Sequence, residues 1–228
     1  MDVIVNKSGP ILLIGGGEAP LAELQALAQL CVAVVAADGG ADAALNAGLM
    51  PDAVIGDLDS LSERARLRIP AQQIHFVAEQ DSTDFEKALR RTAAPLVVAH
   101  GFMGARRDHE LANFNTLVRH PHRLCVLLGD SELVLHVPPH LHVDVPPDTR
   151  VSVFPMAALQ ARSCGLVWPL DGVDLAPWGR VGTSNRAKGA FSISPQAPGL
   201  LLLLPRSCLD SVLKALAVSG PAWPAPAA

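Results

Sequence analysis

The sequence has 228 residues, half of them hydrophobic and 18% charged, with 22 acidic against 18 basic residues and a formal charge of −4. This apolar content excludes general disorder, the length suits one large domain or two modest ones, and slight acidity without a Lys/Arg run argues against nucleic acid as a partner. Apolar runs such as 95–99 and 199–205 are far shorter than the roughly 20 residues of a membrane span; with no basic leader at the start, the expected location is the cytoplasm.

From residue 10 to 129, short apolar runs alternate with segments of helical spacing. The runs 11–14, 32–36, 53–55, 74–77, 96–99 and 124–128 read as buried strands, and 21–30, 41–47, 84–91 and 110–119 as the crossover helices between them. That alternation predicts an α/β fold: a Rossmann-like, mostly parallel sheet flanked by helices over residues 1–137. Past residue 130 proline punctuates every few residues. Runs 133–137, 141–145, 150–154, 189–194 and 200–204 then suit antiparallel strands of a smaller all-β sandwich or barrel domain over 138–228. Residues 209–218 read as a last short helix, and the Pro/Ala tail 220–228 as a frayed end. Cys31, Cys125, Cys164 and Cys208 are scattered with no Cys-x-x-Cys pair, which suits buried, reduced thiols.

Chemistry-bearing residues gather at the predicted strand ends. Ten carboxylates lie between Asp38 and Glu86, against only Arg64, Arg66 and Arg68 before Lys87. Asp57 and Asp59, just past the run 53–55, would turn to one side if the chain stayed extended. Like charges at the carboxyl ends of parallel strands ask for a hard cation such as Mg²⁺, whereas a turn with a helix cap needs only one aspartate. Asp81 and Asp84 flank the next helix, where Thr83 and Glu86 form a capping pattern; capping alone and capping with metal binding both fit. Gly15-Gly16-Gly17 and Asp38-Gly39-Gly40 read as tight turns or as backbone cradles for phosphate. Arg106, Arg107, Asp108 and His109 follow a further strand, with an arginine to offset a polyphosphate and His109 as a structural group or a general base.

The ordered set makes the sequence similar to the thiamine pyrophosphokinase (thiamin diphosphokinase) family. The matching stretches are Ala37-Asp38-Gly39-Gly40-Ala41, the run from Pro51 to Ser60, Asp81-Ser82-Thr83-Asp84-Phe85, Arg106-Arg107-Asp108-His109 with Leu111-Ala112-Asn113, and Gly165-Leu166-Val167-Trp168 with Thr183-Ser184-Asn185. The resemblance implies transfer of the β,γ-diphosphate of ATP, as co-substrate, to the hydroxyl of thiamine, giving thiamine diphosphate and AMP with Mg²⁺ required. It also implies that Asp57, Asp59, Asp81 and Asp84 serve the metal and phosphates, and that Asp38, Gly39, Gly40, Arg106, Asp108, His109 and Asn113 surround the nucleotide. Trp168 would be the aromatic platform for thiamine, and Ser184 and Asn185 its polar contacts. The β-rich domain would mediate a homodimer whose thiamine pocket is shared between subunits.

Three places depart from the family pattern: Ala105 replaces a glycine, Glu79 takes a variable position, and residues 174–182 fit loosely. Rival readings are a pyrophosphokinase for another heteroaromatic alcohol, such as a pterin, and a non-catalytic nucleotide or thiamine sensor.

Overall fold

The computed structural model describes residues 2–79, 81–104 and 106–226, so Ala105 and the end of the tail lie outside the described residues. The chain divides into two compact units. One runs to Thr116 and includes Leu127–Gly129; the other comprises Leu117–Val126 and the chain from Asp130 onward.

The first unit is built from β1 (Val5–Asn6), β2 (Ile11–Ile14), α1 (Leu21–Gln29), β3 (Ala33–Ala37), α2 (Gly40–Asn46), β4 (Ala53–Gly56), α3 (Glu63–Arg68), β5 (Ile74–Phe76), α4 (Asp84–Arg91), β6 (Thr92–Ala93), β7 (Val97–His100), the start of α5 (Arg107–Arg119) and the end of β8 (Cys125–Leu128). β7, β2, β3, β4 and β5 lie side by side in that order, all parallel, with Ile14 opposite Ala36 and His100, and Ala37 opposite Ile55. Val, Ile, Leu and Ala fill β2, β4 and β7 except for the terminal Gly56 and His100, because both faces of such a sheet are covered, and all these residues are buried. Parallel register puts the carboxyl ends of β2, β3, β4 and β7 along one rim, where the chain continues into Gly15, Asp38, Asp57 and Gly101.

The strand expectations hold to within a residue or so, but α3 and the two-residue parallel pair of β1 with β6 were not foreseen. α3 has one buried residue, Ala65, and leaves Leu67 82% exposed, so it shows no apolar stripe; its signal was the Ser62 cap, which accepts from the Ala65 amide.

The second unit holds β9 (Glu132–His136), β10 (Leu141–Val143), β11 (Arg150–Pro155), β12 (Ala161–Leu166), β13 (Gly182–Pro195), β14 (Leu200–Pro205) and α6 (Leu209–Val218). β9 precedes the expected boundary at 137, yet it pairs with β14 and so belongs to this unit. Every strand pairing among β9 to β14 is antiparallel. Burial alternates along β10, β11 and the second half of β13, as expected of strands with one face on a core. β13 is longer than its apolar segment suggests: its start pairs with β11, and its end pairs with β10 and β12. β12 escaped the sequence reading because Arg162, Ser163, Cys164 and Gly165 carry no apolar run.

Two further expectations are corrected here. The tail is not simply frayed, since the half-buried Trp223 indole donates to the Val137 carbonyl at 2.9 Å and so ties the segment down. All four cysteines are free, but Cys164 is exposed on β12 and Cys31 is half-buried, while Cys125 and Cys208 are buried. No helix among the described residues is long and apolar enough to cross a membrane.

Candidate active site

The acidic rim starts with Asp38, the first residue after β3. It is 2% exposed and has φ of 42°. A left-handed conformation there turns the chain sharply into α2 and is tolerated better by aspartate than by most residues. Gly56 makes room for it, since a Cβ at that position would lie 2.9 Å from Asp38 Cβ. Asp38 Oδ2 accepts from the Ser60 amide at 3.1 Å, whereas Oδ1 is buried with no donor.

Asp57 and Asp59 converge on Asp38: one carboxylate oxygen from each of the three lies within 4.8 Å of the others. Convergence does not come from an extended strand end, as the sequence suggests. The residue between them, Leu58, has φ of 61°, a strained conformation for a bulky side chain. It is held in place from two sides. Its side chain is buried in a cluster with Ala36, Leu45, Val54, Leu61 and Ile69, and its carbonyl accepts from Arg66 of α3 at 2.6 Å. Packing thus directs the leucine into the core and leaves the flanking carboxylates on the rim.

Burial first, then the direct approach of the Asp59 carboxylate and the charges of Asp84 and Asp59, raise Asp38 from 3.8 to about 6, although the Ser60 amide opposes this. Asp38 and Asp59 are both acceptors, so their approach is favourable only with a shared proton or a cation between them.

Asp84 opens α4, where Thr83 caps the helix by accepting from the Glu86 amide. It acts on Asp38 through its charge and is joined to Asp57 by Lys87, whose ammonium donates to Asp57 Oδ2 at 2.9 Å and Asp84 Oδ1 at 3.0 Å. Burial pulls the Lys87 ammonium down, but its bonds to Asp57 and then Asp84 outweigh this and hold it above its usual range. Sequence reasoning missed Lys87. The available signal was the Asp84-x-x-Lys87 spacing, which stacks both residues on one helix face. Asp81 is exposed and outside the three-carboxylate cluster. Glu79 accepts from Arg90 at 3.0 Å and lies 3.6 Å from Arg91, so it ties the loop before α4 to the helix's last turn.

The glycines mainly let backbones approach one another. A Cβ at Gly40 would sit 2.1 Å from the Ile14 carbonyl oxygen, and one at Gly15 would sit 2.5 Å from that of Gly101. The Gly15 and Gly17 amides donate to the His100 and Gly101 carbonyls, so neither is aimed at a phosphate. Gly39 is the N-cap position of α2. The loop after β7 is fixed by Asn113, whose amide donates to the Phe102 carbonyl at 2.8 Å, and by the Phe102 ring against Phe85, with centroids 4.8 Å apart. Asn113 is thus a brace for this loop, with Oδ1 buried and without a donor. Arg106 and Asp108 form a two-bond pair with each other, both side chains 66% exposed, and His109 is exposed beside them.

In the second unit, Trp168 follows β12 and its side chain is largely exposed, with the Arg186 guanidinium 5.7 Å from the ring centre. Asn185 holds the tryptophan's backbone from both sides: Oδ1 accepts from the Trp168 amide at 3.1 Å and Nδ2 donates to its carbonyl at 2.6 Å. Oδ1 also accepts from the Arg186 amide at 2.8 Å, so the side chain expected to touch thiamine is engaged as a clamp. Ser184 is exposed, with φ of 63° and its amide bonded to Ser152 Oγ. Trp168 and Asn185 line a cavity of about 150 Å³ together with Leu170, Leu175, Arg180 and Gly182.

A parallel α/β unit with carboxylates massed at its strand ends is followed along the chain by an antiparallel unit presenting an aromatic face. Residues 24–128 match the model of the family described as "Thiamin pyrophosphokinase, catalytic domain". The chain is 27% identical over 157 residues to thiamine pyrophosphokinase 1 of Arabidopsis thaliana, and that match covers 60% of this chain and 59% of the relative. It is 26% identical over 185 residues to the thiamine pyrophosphokinase of Bacillus subtilis, covering 75% of this chain and 85% of that protein. The match thus spans about six-tenths of the length of the plant relative. Among solved structures, the thiamin pyrophosphokinase of Candida albicans superposes with a TM-score of 0.74 at 15% identity, covering 87% of this chain and 89% of that one. That of Geobacillus thermodenitrificans gives 0.72 at 24% identity, covering 87% and 99%. Residues 24–128 thus resemble the catalytic domain of the thiamin pyrophosphokinases, and the chain shares the fold of the solved structures that carry that name.

Proposed function

We propose that this protein transfers the terminal diphosphate of ATP to the hydroxyl of thiamine, giving thiamine diphosphate and AMP. The observation that carries this reading is the meeting of Asp38, Asp57 and Asp59 within 4.8 Å, with Asp38 Oδ1 buried and lacking a donor. The names of the plant and bacterial relatives, thiamine pyrophosphokinase, support thiamine as the acceptor and diphosphate as the group transferred.

An all-oxygen donor set with a donorless buried oxygen fits a hard divalent cation such as Mg²⁺, held by Asp38, Asp57 and Asp59, with Asp84 in electrostatic reach. When bound, such an ion offsets charge on the phosphate oxygens. The chain's own residues do the rest. Leu58, wedged in the core, and Arg66 on its carbonyl hold Asp57 and Asp59 in place, so little reorganisation is needed when charge develops. In the reaction, the thiamine hydroxyl oxygen bonds to the β-phosphorus, the bond from that phosphorus to the α–β bridging oxygen breaks, AMP leaves, and the hydroxyl proton passes to a carboxylate of the rim. Arg106 meets the nucleotide by leaving Asp108, an exchange that solvent makes inexpensive for so exposed a pair.

Trp168 offers a flat face to the aromatic or cationic ring of thiamine, worth about 0.5 to 2 kcal/mol. We place dimerisation in the second unit, whose Trp168 and Trp178 are 54% and 80% exposed. The thiamine pocket is then shared between subunits. The cytoplasm suits four unbridged cysteines.

The test is incubation with Mg·ATP and thiamine, which should yield AMP and thiamine diphosphate in equal amounts. ADP release, or turnover of a pterin alcohol with none of thiamine, overturns the reading, and nucleotide binding without any product selects a sensor. Sedimentation at increasing protein concentration checks the dimer.

A further inference from the structure

The Lys87 ammonium is 3% exposed yet touches two carboxylates of the rim, Asp57 at 2.9 Å and Asp84 at 3.0 Å. A cation buried this deeply is costly unless its partners compensate it, and here each partner belongs to a different element. Asp57 follows β4 and Asp84 begins α4, so the ammonium is the tie between them. Its backbone is equally constrained: the Lys87 amide donates to the Thr83 carbonyl, and its carbonyl accepts from Arg91 Nη1 at 3.2 Å. Across the rim, Asp38 Oδ1 is buried without a donor, so Lys87 offsets only part of the local negative charge.

We propose that Lys87 is a positioning residue and resident cation of this site, holding Asp57 and Asp84 in register and setting how strongly the rim attracts divalent ions. A plain structural salt bridge would also stabilise the fold, but it would leave ion affinity untouched. The proposal rests on the diphosphate-transfer reading only in taking this rim as the reacting site, and its readout is ion binding, not turnover.

The experiment titrates Mn²⁺ alone into the full chain, following the loss of free-ion resonance signal, for wild type, Lys87→Met and the double variant Lys87→Met/Asp84→Asn. Removing a positive charge about 5 Å from a divalent ion tightens binding on the order of tenfold even at the dielectric constant of water. Lys87→Met should therefore bind Mn²⁺ on that scale more tightly, and the gain should shrink with added salt. The double variant restores the charge count, and its affinity should return to within about threefold of wild type.

Unchanged or weaker binding in Lys87→Met overturns the proposal. If Lys87→Met does not fold, the double variant decides. A folded double variant with near-wild-type affinity supports the resident-cation role. One that remains unfolded shows that the lysine stem serves packing, and the proposal fails. If wild type binds no Mn²⁺ yet makes thiamine diphosphate, this inference falls and the functional reading stands; if ions bind as expected and no diphosphate transfer occurs, the reverse holds.

Discussion

The acidic rim of the first unit and the Trp168 loop of the second satisfy their polar groups in opposite ways. On the rim, three carboxylates converge and one buried oxygen has no donor, so local folding leaves an electrostatic demand unmet. In the Trp168 loop, Asn185 makes three bonds to backbone and the ring itself carries the exposed surface. An under-satisfied site gains when a cation or substrate arrives. A satisfied one keeps a rigid apolar face whose contribution is shape and stacking. The rim should therefore respond to charge changes in turnover and ion binding, and the loop in stability and substrate affinity.

The largest effect should come from Asp57→Asn or Asp59→Asn, each lowering kcat by roughly 10³-fold or more. Asp59→Asn should cost little thermal stability, whereas Asp57→Asn also removes a partner of the buried Lys87 ammonium and should lower it. Retention of turnover in both would break the assignment of the rim. Next is Gly40→Ala, which places a methyl group 2.1 Å from the Ile14 carbonyl. Forced backbone movement of this kind costs about 1 to 3 kcal/mol, to be read from denaturant unfolding. An unchanged midpoint would show that α2 shifts freely.

Asn185→Ala should destabilise by about 1 to 3 kcal/mol through the unpaired Trp168 and Arg186 backbone groups. It should also raise the KM for thiamine more than it lowers kcat. Trp168→Ala is milder for the fold because the ring is so exposed. It should weaken thiamine binding by about 0.5 to 2 kcal/mol, measured by calorimetry; equal affinity in the variant would sever the loop from the substrate.

The smallest effect is a slope with pH. Asp38 is raised from 3.8 to about 6, so between these values the folded protein binds more protons at this group than the unfolded chain. Its contribution to stability is full below about pH 4 and is lost as pH rises through about 6. Glu79, lowered first by Ser82 and further by Arg90 and Arg91, pulls in the opposite direction. The measurement is therefore the difference between wild type and Asp38→Asn, both with chelator. That difference should grow in favour of the variant from pH 4 to 6.5, and a flat difference would place Asp38 in a more solvated setting.

Much of this was legible because it depends on local chemistry. Buried parallel strands announce themselves as short Val/Ile/Leu runs, and β2, β4, β7 and β8 lie where such runs do. Thr83 two positions after Asp81 and three before Glu86 is a cap in the sequence and in the structure. Less legible were segments whose stability comes from partners distant in sequence. β12 and the start of β13 are polar and become strands through distant partners, β12 by pairing with the later part of β13 and the start of β13 by pairing with β11. The glycine runs were ambiguous because a close carbonyl and a phosphate call for the same missing side chain, and for Gly15, Gly17 and Gly40 the neighbour is a carbonyl.

By itself, the sequence determined the alternation that makes a parallel sheet, the proline-punctuated antiparallel unit, and the acid-rich composition of the loops that end the strands, since each is written in nearest-neighbour spacing. Only tertiary structure decided which acids meet. Leu58 turns left-handed because the core claims its side chain, Asp38 joins Asp57 and Asp59 because Gly56 leaves it room, and Lys87 bridges to Asp57 from α4. Such meetings depend on packing between residues far apart in the chain, and no local pattern encodes the distance between them.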